Sequence, residues 1–428
     1  MTNDPEELGQ RMYRLIEELY PVCRSITGEG LRETLRRVQR DVPILLHEIP
    51  SGTAVFDWTV PPEWNIRDAW IERGGKRIVD FRASNLHVVS YSTPVRRRMT
   101  LAELRPHLFS LPDRPDWIPY RTAYWSESWG FCLSHRLLES LPEGDYEVCI
   151  DSTLAPGSLT YGECLVPGAS TDEVLISCHT CHPSLANDNL SALAVAIELA
   201  RRAMSEPRAL SYRFLFLPGT IGSIAWLARN EADLGRIKHG LVLSCLGNRG
   251  PVTYKRSRRG DASVDRAAAH VLGEAGLGTR VRAFVPYGYD ERQYCSPGFD
   301  LPVGCLTRTP NGEFPEYHTS ADNLDLVAPR PLADSYETVT RILEILEQDR
   351  RYVRTDPRGE PQLGRRGLYQ GVAGARQLPQ YELALLWVLN LADNRHSLRD
   401  IADRAGLPFA LVAEAAAALL AKDLIREA

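Results

Sequence analysis

One alternation constrains the fold of this chain more than any other feature. Between about residues 148 and 347, short apolar runs of strand length take turns with longer stretches of helical periodicity. Strand-like runs fall at 174–177, 212–217, 240–246 and 301–306, and helical ones at 190–204, 224–230, 262–274 and 332–347. Strands that alternate with helices predict a mostly parallel sheet covered on both faces. In such sheets, sites gather beyond the carboxyl ends of the strands.

The first strand run ends in a crowded stretch, S-C-H-T-C-H-P-S-L-A-N-D-N at 177–189. His179 lies just past the strand, His182 three residues on, and Asp188 six further. Imidazole and carboxylate suit Zn²⁺, and a strand end followed by a short loop aims such groups at one point. The same residues read otherwise as a polar loop that satisfies its own backbone. Cys178 and Cys181 also form a C-x-x-C, the spacing of a redox pair. A structural zinc site wants a second cysteine pair, and none follows at usable spacing.

Two polar runs lie downstream. One is Pro315-Glu316-Tyr317-His318-Thr319-Ser320-Ala321-Asp322-Asn323. The other is Tyr289-Asp290-Glu291-Arg292-Gln293-Tyr294. Each reads as a solvated turn or as a source of acid–base groups, with Glu291 the candidate general base.

The flanks differ in texture. Residues 3–40 are largely helical, with Met12, Leu15, Ile16 and Leu19 at helical spacing. Residues 56–146 hold six of the eight tryptophans. They show a hairpin pattern over 70–79 about Gly74-Gly75 and a strand pattern over 86–91, which together predict a β module. Residues 351–378 are rich in Gly and Arg and read as a linker or arm. Residues 379–428 predict three helices with a tight turn at Gly406-Leu407-Pro408, the pattern of a winged helix-turn-helix.

Composition closes off several classes. A net charge of −5 over 428 residues argues against nucleic acid or an acidic membrane as partner. No run of about 18 apolar residues is present, so no membrane span is expected. The N-terminus, M-T-N-D-P-E-E-L, lacks a signal-peptide pattern. Nine cysteines then read as reduced thiols of a cytoplasmic protein. From Gln380 onward, five Lys/Arg face seven Asp/Glu, and the third helix carries no basic residue. Phosphate contacts need Lys or Arg, so a protein contact is expected of this unit rather than DNA.

Taken in order, these motifs resemble the zinc exopeptidase superfamily of bacterial leucyl aminopeptidases and glutaminyl cyclases. More closely, the chain resembles a bacterial aminopeptidase-like family associated with polysaccharide or natural-product biosynthesis. The runs that carry this are L-Y-P-V-C-R-S-I-T-G at 19–28, F-D-W at 56–58, W-G-F-C at 129–132, H-P-S-L-A-N-D-N at 182–189, 290–298, E-Y-H-T-S at 316–320 and E-P-Q-L-G at 360–364.

The resemblance implies an α/β fold with a mostly parallel-sheet, zinc-exopeptidase-like core, an inserted mainly-β domain and a C-terminal winged helix-turn-helix. The catalytic domain would comprise residues 1–55 and 147–350, and a protease-associated-like insertion 56–146. His179, Asp188 and His318 match zinc ligands, and His182 replaces or joins His179. Cys181 stands where other members have the aspartate that orients the first histidine. The adjacent glutamates expected after the second strand are missing, since residues 217–223 read L-P-G-T-I-G-S. The next superfamily aspartate, due near Ser244, is missing too. One zinc ion rather than two is therefore expected, with Glu291, Glu316 and Tyr317 as catalytic candidates and Asp290, Arg292 and Tyr294 as substrate contacts. The implied function is a metal-dependent, aminopeptidase-like hydrolase acting on an amide or peptide bond of a small substrate. The alternatives are a biosynthetic enzyme on the same scaffold without peptidase activity, and a non-catalytic binding or scaffold protein. Homo-oligomers through the accessory domains are a further expectation.

Overall fold

The computed structural model describes residues 4–276, 278–368 and 379–428. They form two compact units, one of residues up to 265 with 278–337, the other of 266–276 with the described residues from 338 onward.

An eight-stranded sheet organises the first unit. Its order is Leu45–Pro50, Ser158–Val166, Ser211–Leu217, Glu173–His179, Ile237–Leu243, Val303–Thr307, Thr253–Lys255 and Arg280–Arg282. The four central strands run parallel. Every residue of Glu173–His179 is buried, which explains its near-continuous apolar reading. The sheet is nevertheless mixed. Leu45–Pro50 and Ser211–Leu217 both pair antiparallel with Ser158–Val166, and Thr253–Lys255 pairs antiparallel with Val303–Thr307. The alternating pattern is legible only where helices connect the strands, so it captured the centre and missed these flanks. The Ala-rich helix Ala192–Ser205 buries ten of its fourteen residues in this unit. Gly240 lets the sheet close, since a Cβ there would meet Val303 Cγ2 at 2.7 Å.

The β-rich insertion leaves and re-enters the sheet at one neck. Pro50 is registered opposite Ser158, and Ser51 N donates to Gly157 O at 2.9 Å. A connection whose two ends touch can carry a large excursion at little cost to the host. Four antiparallel strands follow in the order Lys76–Asp80, Glu63–Arg73, Asp145–Ala155 and Val95–Thr100. Ile71, Val79, Phe131, Tyr146, Val148 and Ile150 fill their own core. The hairpin read over 70–79 is present. The inserted sheet runs to Ala155 rather than stopping at 146. The strand expected over 86–91 begins instead as a tight turn, Asn85–His87, because Ser84 Oγ accepts Leu86 N and His87 Nδ1 meets Cys132 O.

In the second unit, helices Gln380–Leu391, Leu398–Ala405 and Phe409–Leu420 pack together. Ser397 and Asp400 form a reciprocal capping box at the second helix, and Gly406 ends it in the left-handed conformation. Arg351–Arg354, which the sequence reading placed in the arm, is the middle strand of a three-stranded sheet between Asp393–Ser397 and Ile425–Glu427. Its alternation is masked by the two arginines at its ends, Arg351 and Arg354. The later part of the expected arm, 369–378, lies outside the described residues. Among the described residues, no helix is long and apolar enough to cross a membrane.

Candidate metal centre

His179 closes the strand Glu173–His179, so its ring emerges at the carboxyl edge of the parallel centre. The chain then turns through 180–185 into an irregular helical turn, Ala186–Ser191, where Asp188 and Asn189 leave helical φ/ψ. That departure swings the Asp188 carboxylate back toward His179. Asp188 Oδ1 lies 2.8 Å from His179 Nε2 and 3.6 Å from His182 Nδ1, and Oδ2 lies 3.0 Å from His318 Nε2. Four residues named from the sequence as metal ligands thus meet at one carboxylate.

Burial and charge put Asp188 and His182 in ligating form. Burial pushes Asp188 up, but the facing imidazoles outweigh it and hold the carboxyl well below its usual range. Burial brings His182 down to about 4, against the pull of Asp188, so its imidazole is neutral near pH 7. Carboxylate and neutral imidazole are the protonation states a metal takes. The rings are fixed from behind. His179 stacks on Tyr289 and holds the Asn189 amide nitrogen 3.2 Å from its Nδ1. His318 stacks on Tyr317, and Tyr120 meets both His182 and His318 edge-on.

The fit to a cation rests on one orphan. His182 Nδ1 is buried without a hydrogen-bond partner, at the edge of a cluster in which one donor atom each from His179, His182 and Asp188 lies within 4.8 Å of the others. A buried nitrogen left unpaired inside such a donor set is what a metal ion satisfies.

The backing carboxylate is Asp322. Its Oδ1 and Oδ2 accept the N–H groups of Asn187 (2.6 Å) and Asp188 (3.0 Å), and its carbonyl accepts Ala186 N (3.1 Å). Burial and then the nearby Asp188 push the Asp322 carboxyl up to about 8. Asp322 and Asn189 fall within the 315–323 and 177–189 motifs, where residue type alone points to no role. Their signal was their place four residues after His318 and one after Asp188. Tyr120 carried no signal, because it reaches the cluster from the insertion.

A cavity of about 330 Å³ opens beside the cluster. Its lining includes His179, His182, Gly219, Asp290, Arg292 and Tyr317, together with Trp58 and Trp125 of the insertion. Gly219 stands where the sequence reading found the glutamate pair missing. A Cβ there would point at His179 Cβ from 3.6 Å, and no carboxylate of residues 217–223 fills the space. Asp290 lies over this loop instead, its Oδ1 accepting Thr220 N at 2.6 Å and Ser223 Oγ at 3.0 Å. Burial raises its carboxyl above the usual range.

Several candidates fall elsewhere. Glu291 is fully buried and paired with Lys255, away from the cavity lining. Tyr294 is also buried, its hydroxyl 2.9 Å from Ser177 Oγ and its ring against Trp226. The short helix Glu291–Tyr294 explains both, since residues three apart share one face and that face points into the core. Asp290 and Arg292 lie on the cavity side. Glu316 does not line the cavity, and its carbonyl caps Thr319. The C-x-x-C is not a disulfide. Burial pushes the Cys181 thiol up to about 12 and that of Cys178 higher still, the reverse of a reactive pair.

This parallel-centred α/β sheet, with its histidines and aspartate at the strand ends, has the fold of the zinc aminopeptidases. The zinc aminopeptidase BSAP of Bacillus subtilis superposes with a TM-score of 0.59 at 12% identity, over 79% of this chain and 95% of its own. Residues 13–349 match the family described as "Domain of unknown function (DUF4910)", and the chain belongs to that family. Residues 350–427 match a winged helix-turn-helix family. A Clostridium acetobutylicum protein is 48% identical over 98% of this chain and 97% of its own length. Its name gives it as a candidate polysaccharide biosynthesis protein with an aminopeptidase-like domain. A crystal structure of a candidate peptidase from the same organism matches with a TM-score of 0.95 at 46% identity, covering 99% of this chain and 97% of that one.

Proposed function

We propose that the chain is a metal-dependent hydrolase acting on an amide bond of a small substrate, with a single zinc ion held by His179, His182, Asp188 and His318. The observation that carries this is the convergence of those four residues beside a cavity that His179 and His182 line. Zinc held there supplies a Lewis acid and a water acidified toward pH 7. The chain's own groups do the rest. Asp290 is the cavity carboxylate placed to hold or pass a proton, anchored by Thr220 N and Ser223 Oγ. The Tyr317 hydroxyl, held protonated by burial, is a donor for charge that develops on a carbonyl oxygen. Trp58, Tyr124 and Trp125 narrow the cavity against water.

A second reading, a biosynthetic enzyme without peptidase activity, draws on the empty place of the glutamate pair and on the relative's name. Zinc analysis of purified protein, followed by assays of the reloaded protein on aminoacyl anilides and on N-acylated amino sugars, separates the two. Turnover of anilides supports the first reading, and turnover of the sugar amides alone the second. Protein that takes up no zinc, and behaves identically after His318→Ala, would end both.

The nine free thiols support a reducing, cytoplasmic setting. For the winged helix we favour a protein contact, a second copy of the chain among the options, over nucleic acid. The water-facing residues of Phe409–Leu420 are Ala410, Glu414, Ala417 and Leu420, none of them cationic. A mobility-shift titration against duplex DNA, alongside light scattering for subunit number, tests this. Salt-sensitive DNA retention would reverse it.

A further inference from the structure

Arg292 is the only Arg or Lys among the described residues that line the cavity. Its Nε is buried without a hydrogen-bond partner. Other arginines share a buried, unpaired Nε but commit their terminal nitrogens. Arg208 reaches Glu206, Arg354 reaches Gly359 O, and Arg399 reaches Asp400 and Asp403. Arg292 makes no such contact with any described residue. The carboxylates beside it in sequence are engaged elsewhere, Glu291 with Lys255 and Asp290 Oδ1 with Thr220 N and Ser223 Oγ.

A guanidinium cannot shed its charge, and it carries five N–H donors in a planar fork. Half-buried without an acceptor, it is an unmet demand for a planar or multidentate oxyanion, which it binds through paired, charge-assisted hydrogen bonds. The cavity places this demand in the same enclosure as His179 and His182.

We infer that Arg292 is the receptor for an oxyanion carried by the substrate, a carboxylate or a phosphate, seated beside the bond that the metal cluster acts upon. The substrate class narrows from small amides in general to amides bearing an anionic group. This rests on the metal-hydrolase reading for its location but not for its test.

The test uses metal-stripped full-length protein at about pH 8, above the ordinary imidazole range, so that no metal competes for the anion. Trp58 and Trp125 line the cavity and report binding by fluorescence. The probes are N-acetylglycine, its neutral partner N-acetylglycinamide, and inorganic phosphate. At least one anion is expected to bind about tenfold or more tighter than the amide, the scale of one charge-assisted hydrogen bond. Arg292→Gln should erase that preference and Arg292→Lys keep part of it. An advantage for N-acetylglycine assigns the group as a carboxylate, and one for phosphate alone as a phosphate. Equal binding of amide and anions, no saturable binding by either anion, or a preference that survives in Arg292→Gln overturns the inference. Because Arg292 has no polar partner among the described residues, its replacement should leave the circular dichroism unchanged. Failure of zinc uptake would defeat the hydrolase reading without touching this result.

Discussion

Asp188 and His318 stand 130 residues apart in sequence and 3.0 Å apart in space, Oδ2 to Nε2. On the other side of the same carboxylate, His179 Nε2 meets Oδ1 at 2.8 Å. Asp188 is therefore the hub of the cradle, and zinc binding should depend on it most. Asp188→Asn and His318→Ala are each expected to weaken zinc by more than the roughly 10–100-fold typical of groups behind the ligands. Competition against a chelating dye reads the affinity. Running His179→Ala and His182→Ala in the same assay shows whether both histidines ligate. Retention of full affinity by Asp188→Asn would remove the hub.

Asp322 presents the hub. With both its oxygens on the Asn187 and Asp188 amides, Asp322→Ala strands two buried donors. A cost of about 1–3 kcal/mol in denaturant unfolding is expected, together with zinc binding weaker by roughly 10–100-fold. Asp322→Asn keeps one acceptor and should fall between. Loss of stability with unchanged zinc affinity would make Asp322 a purely structural residue.

Glu291 separates stability from chemistry. Glu291→Ala leaves Lys255 half-encased without its counter-charge, so destabilisation of about 3–5 kcal/mol is expected. Zinc stoichiometry should not change, because Glu291 stays outside the cavity lining. A variant as stable as the parent but inactive would return Glu291 to the role of base.

Acid should weaken the fold through His239. Burial brings this imidazole down to about 4, with Asp172 opposing, and its Nδ1 has no partner. The unfolded chain takes up a proton near pH 6.5 and the folded one near 4, so the unfolded state binds more protons between them. Stability is therefore lost as pH falls from about 6.5 to about 4, by up to about 3 kcal/mol from this site. His239→Gln should flatten the slope over that window. Asp322, raised to about 8, contributes with the opposite sign, and comparing parent with His239→Gln cancels it. Equal slopes in the two proteins would show that His239 is not the source.

Much of this was legible in the sequence, and the reasons differ by residue. The strand ending at His179 could be read because buried parallel strands are continuously apolar. The four clustered residues could be named because imidazole and carboxylate stand out beside a strand end or in a polar run. The face of the 289–294 run could not be read, since six polar residues in a row hide which side of a short helix points inward. The helix turns Asp290 toward the cavity and Glu291 into the core, a difference that the run of polar residues does not display. The antiparallel flanks were hidden because no crossover helix leads into them: Leu45–Pro50 reaches Ser158–Val166 through the long insertion, and Thr253–Lys255 follows Ile237–Leu243 through a loop. Tyr120, beside His182 and His318, and Trp125, in the cavity lining, escaped because only tertiary folding brings them there.

The neck at Pro50 and Ser158 has a consequence of its own. All four cradle residues come from the host sheet and its loops, whereas Trp58, Tyr124 and Trp125 arrive through the neck. On the function proposed above, reactivity and choice of substrate are written in different stretches of the chain and can drift at different rates. The two are not fully free of each other. Tyr120 N donates to His318 O, and Ser320 N donates to Ile118 O, so the excursion is also stitched to the loop that bears the last histidine. Exchanging the whole excursion between relatives would then alter selectivity, while only exchanges that preserve those two stitches would keep the metal.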